Sequence, residues 1–64
     1  MREAELWSRM EEVLGAGYAR AWADLVVMSD IGGRTVSEAI AAGVSFKTIW
    51  RAVWAQLELS ESLR

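Results

Sequence analysis

Apolar positions recur along this chain with a helical period in three segments, and a fourth segment is marked by its end signals. Leu6, Trp7, Met10, Val13 and Leu14 follow one another at the spacing of a single helix face, which predicts a helix over residues 3–14. Glu3 and Glu5 in its first turn complement the helix dipole, and Glu5 and Arg9 form an i,i+4 pair in the favourable order. Gly15-Ala16-Gly17 breaks this helix. A second is predicted over residues 17–29, with one stripe through Tyr18, Trp22, Leu25 and Val26 and another through Ala19, Ala23 and Val27. Its Leu25-Val26-Val27-Met28 run is apolar on nearly every side, the pattern of a central helix or of one that meets a second chain. Gly32-Gly33 reads as a left-handed cap and tight loop. Thr35-Val36-Ser37-Glu38 reads as a capping box opening a short third helix over 36–42, with Gly43 as its C′ residue. Ser45 is the N-cap of a fourth helix over 46–57, whose stripe is Phe46, Ile49, Trp50, Val53, Trp54 and Leu57. Residues 58–64 are polar apart from Leu59 and Leu63 and are expected to fray.

These elements predict an all-α fold, a small four-helix domain with a helix-turn-helix-like corner formed by helices three and four. Ala39 stands four residues before Gly43, Val44 follows the glycine, and Ile49, Ala52 and Val53 recur after it. This is the spacing of a DNA-reading corner, which specifies a geometry and not by itself a function. In such a corner the inward positions of the fourth helix are Ile49, Ala52, Val53 and Gln56. The apolar stripe is centred roughly 80° away on a wheel of 100° per residue. Two arrangements follow. Either Trp50 and Trp54 face outward beside DNA, or they complete the core and leave Lys47, Thr48, Arg51 and Ala55 exposed.

Sixty-four residues allow one domain, which buries only about 60% of the surface its unfolded chain exposes. Without cysteine or histidine, disulfides and thiolate or imidazole chemistry are excluded. Glu11 and Glu12 are adjacent and do not face each other, Asp24 is read as an ion-pair partner of Arg20, and Gly32-Gly33 lacks the lysine of a phosphate loop. No catalytic, cofactor or metal site is expected, nor a small-molecule substrate, and the chain is not expected to be an enzyme. The net charge of −2 argues against a protein that coats nucleic acid. Only residues 34–51 are net positive, with Arg34, Lys47 and Arg51 against Glu38. The N-terminus has no signal pattern and no apolar run approaches a membrane span. The expectation is a soluble cytoplasmic protein, complete from Met1.

Binding is therefore the expected mode of action. Trp7, Trp22, Phe46, Trp50 and Trp54 stand at helical spacing with aliphatic residues, the pattern of core. Trp54, at the edge of its stripe, is the best candidate for an exposed anchor, since tryptophan and arginine are enriched at interface hot spots. The candidate contact surface is Arg34, Lys47, Trp50, Arg51 and Trp54. The leading expectation is a protein–protein interaction module, acting as a homodimer or docking on a protein of DNA metabolism. The alternative is a DNA-binding regulator holding phosphates through Arg34, Lys47 and Arg51.

The pattern Met1-Arg2, Trp7, Met10, Leu14-Gly15, Tyr18-Ala19, Asp24, Gly32-Gly33-Arg34-Thr35, Glu38-Ala39, Gly43 and Trp50-Arg51-Ala52-Val53 covers nearly the whole chain. It resembles a family of very short actinobacterial proteins of unknown function, often encoded beside the recombinase A and regulatory recombinase X genes. The resemblance implies a compact cytoplasmic helical domain and, through that neighbourhood, an association with DNA repair or its regulation. It supplies no activity, substrate or catalytic residue. Trp54 departs from the family pattern, which has a smaller residue there.

Overall fold

A single residue, Gly15, joins the first two of the four α-helices in the computed structural model, which describes residues 1–64. The helices are α1, Glu3–Leu14; α2, Ala16–Leu25; α3, Val36–Ala41; and α4, Phe46–Gln56. Two 3-10 turns, Ser29–Ile31 and Glu61–Leu63, complete the fold, and there is no strand. The architecture is the all-α one expected. At Gly15 the N–H donates to the Glu11 carbonyl, ending α1, while its own carbonyl accepts from Tyr18 and Ala19, starting α2. Its φ of 90° and ψ of 141° lie where a side chain is not accommodated without strain. One residue can therefore reverse the role of the chain from helix end to helix start.

The second helix ends four residues earlier than its apolar period predicts. Val26 donates the last helical bond, to Trp22, and turns to an extended conformation. From there the burial alternates: Val26 is half-buried, Val27 exposed, Met28 buried. The run that reads as a helix apolar all round is thus a change of period from 3.6 to 2. Two features explain it. Val26 and Val27 are β-branched and weak helix formers, and leaving the helix lets Met28 and Ile31 enter the core. The 28–34 connection is closed by its own backbone. Met28 N–H donates to the Arg34 carbonyl at 3.0 Å, and Gly33 N–H donates back to Met28 at 3.1 Å. The glycine pair belongs to this turn, with Gly32 ending the 3-10 segment, and does not cap α2.

Helix α3 starts where the capping box places it. Thr35 Oγ1 accepts from Glu38 N–H, and the Glu38 carboxylate accepts from Thr35 N–H. Thr35 is the one buried polar residue, and both its backbone donor and its hydroxyl oxygen are used in this cap. At the α3–α4 corner Gly43, with φ of 81°, closes a Schellman motif. Gly43 N–H reaches the Ile40 carbonyl and Val44 N–H reaches Ala39. Ser45 Oγ then accepts from Thr48 N–H and opens α4. The end of α4 repeats the Schellman bonds, from Glu58 to Ala55 and from Leu59 to Trp54, but with Glu58 in the left-handed position at φ 52°. Residues 58–64 therefore do not fray. The motif turns them back along α4 into the second 3-10 turn.

All four helices and the 28–31 connection supply the core. Its members are Leu6 and Met10; Ala19, Trp22 and Ala23; Met28 and Ile31; Val36 and Ala39; and Ile49, Trp50, Ala52 and Val53. Helix α1 packs on α2 and α4, α3 lies against α2 and α4, and the first 3-10 turn sits on α4. Trp7 is only half-buried and packs at the edge. Gly15→Ala is expected to lower unfolding free energy by about 1–3 kcal/mol in urea titration. Gly17 has an ordinary helical backbone and open space where a Cβ would stand. Gly17→Ala is therefore expected to leave stability unchanged or raise it by up to about 1 kcal/mol.

Candidate functional site

Helix α4 divides cleanly between core and solvent. Ile49, Trp50, Ala52 and Val53 are buried, Phe46, Trp54 and Leu57 are half-buried, and Lys47, Thr48, Arg51 and Ala55 are exposed. Of the five residues proposed as a contact surface, Trp50 is therefore not at the surface; it is 2% exposed. The physical reason is its position beside Ile49 and Val53 on the face that meets α1, where an indole contributes more buried area than any other residue of this helix. Trp54 is half-covered by its own chain. The indole N–H of Trp50 donates to the Leu63 carbonyl at 3.0 Å, and that of Trp54 donates to the Ser60 carbonyl at 2.9 Å.

The three cations of the proposed surface are exposed. Lys47 lies with Trp50 in a shallow hollow lined also by Met1, Glu5, Arg9 and Arg64. Arg34 turns back over Gly32 and donates to the Ile31 carbonyl at 3.2 Å. Neither Arg34 nor Arg51 lines this hollow or the one beside it. The adjoining hollow shares Arg9, Trp50 and Arg64 and adds Glu12, Val13, Ser62 and Leu63. The hollow with Lys47 has a volume of about 280 Å³ and the adjoining one about 230 Å³. The charges around them are largely engaged: Arg9 pairs with Glu5 at 2.8 Å and Arg64 with Glu61 at 3.2 Å. No three carboxylates gather as a metal site.

Arginines instead lie on the tryptophans. Arg20 stands 4.1 Å from the centre of the Trp7 ring, Arg9 5.5 Å from that of Trp50, and Arg64 5.4 Å from that of Trp54. Such pairs contribute about 0.5–1 kcal/mol each where partly exposed. This arrangement corrects the expected Arg20–Asp24 ion pair. Arg20 crosses to the ring on α1, and Asp24 accepts a hydrogen bond from Ser37 Oγ on α3. The Arg–Trp contacts join residues distant in sequence, and no local pattern announces them.

The face of α4 that a DNA-reading corner would present carries Trp50 and Trp54. Here Trp50 is packed under Arg9 of α1, and residues 60–63 bond both indoles. The outward face keeps only Lys47 and Arg51 as cations.

A different element leaves apolar surface open. On α2, Ala19, Trp22 and Ala23 are buried, while Tyr18, Ala21 and Leu25 share a neighbouring exposed arc at i, i+3 and i+7. Tyr18 is 56% exposed, Leu25 76%, and Val27, just past the helix end, 58%. The apolar arc of α2 is wider than the arc its own domain covers. Asp24, just before Leu25, and Asp30, three residues past Val27, are exposed and take part in no ion pair. The excess apolar character of residues 25–28 was visible in the sequence, but which of them would face outward was not.

The chain belongs to the family described as "Protein of unknown function (DUF3046)", which matches residues 1–62. No curated protein and no solved structure matches it. No helix is long and apolar enough to cross a membrane.

Trp50→Phe keeps one aromatic ring but removes the donor to Leu63 and part of the buried indole. The variant is expected to lose more stability than the hydrogen bond alone supplies, about 0.5–1.5 kcal/mol, because a cavity is left in the core. It should also speed amide exchange at Leu63 and Arg64, whose N–H groups bond Ser60 and Glu61, more than at the centre of α4. Equal protection in both proteins would contradict a closing role for this bond.

Proposed function

For this member of a family of unknown function, we propose a protein-binding module that docks the exposed face of α2 onto a partner protein. The observation that carries the reading is the exposure of Tyr18 and Leu25 on one arc of α2, with Val27 exposed just past the helix end. Exposed apolar surface beyond scattered single residues marks interaction sites. Fully covering a leucine or valine contributes about 1.5–3 kcal/mol, so these side chains together supply a substantial part of a micromolar affinity.

The charges near the patch select the partner. Asp24 and Asp30 carry no cation of their own, so the complementary surface is apolar with a basic fringe. A second copy fits poorly there, because an isologous contact turns the same acidic fringe on itself. The association with DNA metabolism implied by the family resemblance remains part of this proposal, as a property of the partner. Direct DNA binding through Arg34, Lys47 and Arg51 has less support, since α4 presents only two of these cations and Arg34 is bonded back to the Ile31 carbonyl.

A photo-crosslinking residue at Ala21, introduced in the native host, is expected to capture one discrete partner, and Leu25→Glu should abolish the adduct. The same probe at Thr48, on the outer face of α4, should capture none. Leu25→Glu changes an exposed position, so stability should move by no more than about 0.5 kcal/mol. An adduct from Thr48 but not from Ala21 would overturn the reading. Duplex titration at low salt is expected to show no saturable binding. A log–log salt slope near about −2.7, the value for three phosphates, would favour the DNA alternative instead.

A further inference from the structure

Between α2 and the first 3-10 turn the backbone is extended, with φ −87° and ψ 117° at Val26 and φ −122° and ψ 127° at Met28. Successive residues of an extended chain direct their N–H and C=O groups to opposite sides. Met28 directs both into its own turn. Its N–H donates to the Arg34 carbonyl, and its carbonyl accepts from Ile31 and Gly33. Val27 therefore directs both of its groups away from the turn. Neither is bonded to another backbone group, and Val27 is 58% exposed. The Met28–Arg34 bridge thus has an open edge one residue long, already in the conformation that a further strand pairs with.

The surroundings of this edge specify what pairs with it. Leu25 and the Val27 side chain offer exposed apolar surface. Asp24 and Asp30 stand three residues to either side of Val27, exposed and without an ion-pair partner. Arg34, across the bridge, is bonded back to the Ile31 carbonyl and pairs with neither. Like charge counts against a second copy, because antiparallel self-pairing centred on Val27 turns Asp24 of each copy toward Asp30 of the other.

We infer that Val27 is the docking edge for an extended segment of the partner protein, in which apolar residues alternate with lysine or arginine. A partner N–H donates to the Val27 carbonyl, and a partner carbonyl accepts from the Val27 N–H, as in strand addition to a sheet edge. The edge is already ordered by the bridge, so pairing costs this chain little conformational entropy. Apolar partner residues meet Leu25 and Val27, and the cations meet Asp24 and Asp30. This inference rests on the α2-face reading and gives the form of its partner.

The probe is a display library of random peptides selected on the full chain, followed by titration of one enriched peptide into the isotopically labelled protein. Enriched sequences should alternate apolar and basic residues, and binding should slow exchange of the Val27 amide by at least about tenfold. Val27→Pro removes a donor that the backbone ladder does not use, and Val26 already has the ψ favoured before proline. It should weaken the peptide by about tenfold, whereas Val27→Thr, which keeps the N–H and the β-branch, should bind more tightly than Val27→Pro. Asp30→Asn should weaken it by up to about fivefold at low salt. Failure to enrich such sequences, or a bound peptide that leaves the Val27 amide unprotected, overturns the edge; the amide measurement needs no variant and decides even if Val27→Pro does not fold. So does an affinity that survives in a folded Val27→Pro. A dimer of the chain that Val27→Pro disperses would give the edge to a second copy and likewise overturn the inference. In each case an Ala21 adduct that Leu25→Glu abolishes still upholds the α2 face, so the two readings fail separately.

Discussion

The Trp50 indole lies where three parts of the chain meet. It is the largest fully enclosed side chain, packed between Ile49 and Val53 on α4, with Arg9 of α1 over its ring and its N–H bonded to Leu63. A domain of this size has no disulfide or metal to offset its modest core, so the few large buried side chains must each connect several elements. Trp50 does this for α1, α4 and the closing segment. The bond to Leu63 satisfies the one polar atom that would otherwise oppose burial of the ring. The same commitment leaves Trp50 only 2% exposed.

Helix α2 shows the opposite balance. Its buried arc is built from Ala19, Trp22 and Ala23, where two alanines let neighbouring helices approach closely. Its adjacent arc, Tyr18, Ala21 and Leu25, receives no cover. The early end of the helix at Leu25 brings Met28 and Ile31 into the core in place of Leu25 and Val27. Apolar side chains compete for limited interior volume, and those on the connection win because the Met28–Arg34 backbone pairing holds them against α4. The exposed apolar face proposed for partner binding is a direct consequence of that exchange.

The two Schellman motifs apply one geometry to different residues. At Gly43 the left-handed backbone is adopted without steric cost and the corner is permanent. At Glu58 the same hydrogen bonds are made against steric opposition. The chain therefore has a rigid corner inside the domain and a strained one at its margin.

Legible from the residues alone are the local events: where α1, α3 and α4 begin, the Thr35–Glu38 capping box, the Ser45 cap, the Gly43 stop and the Glu5–Arg9 pair. Each depends on residues three or four positions apart, so the chemistry that decides it lies within one turn of helix. Tertiary structure alone decided the rest. The end of α2 depended on a pairing between residues 28 and 34 and on which side chains the core could hold. Burial of Trp50 depended on α1 approaching α4, although its spacing with Ile49 and Val53 had already offered that outcome. Arg20 chose the Trp7 ring over Asp24, and residues 58–64 became ordered through the Ser60 and Leu63 carbonyls that accept from two α4 indoles, contacts that no local pattern announces. Of the proposed surface, exposure of Lys47 and Arg51 followed from the helical period. Whether those charges would meet Arg34, and whether Leu25 and Val27 would stay open, depended on how much apolar surface four short helices can enclose.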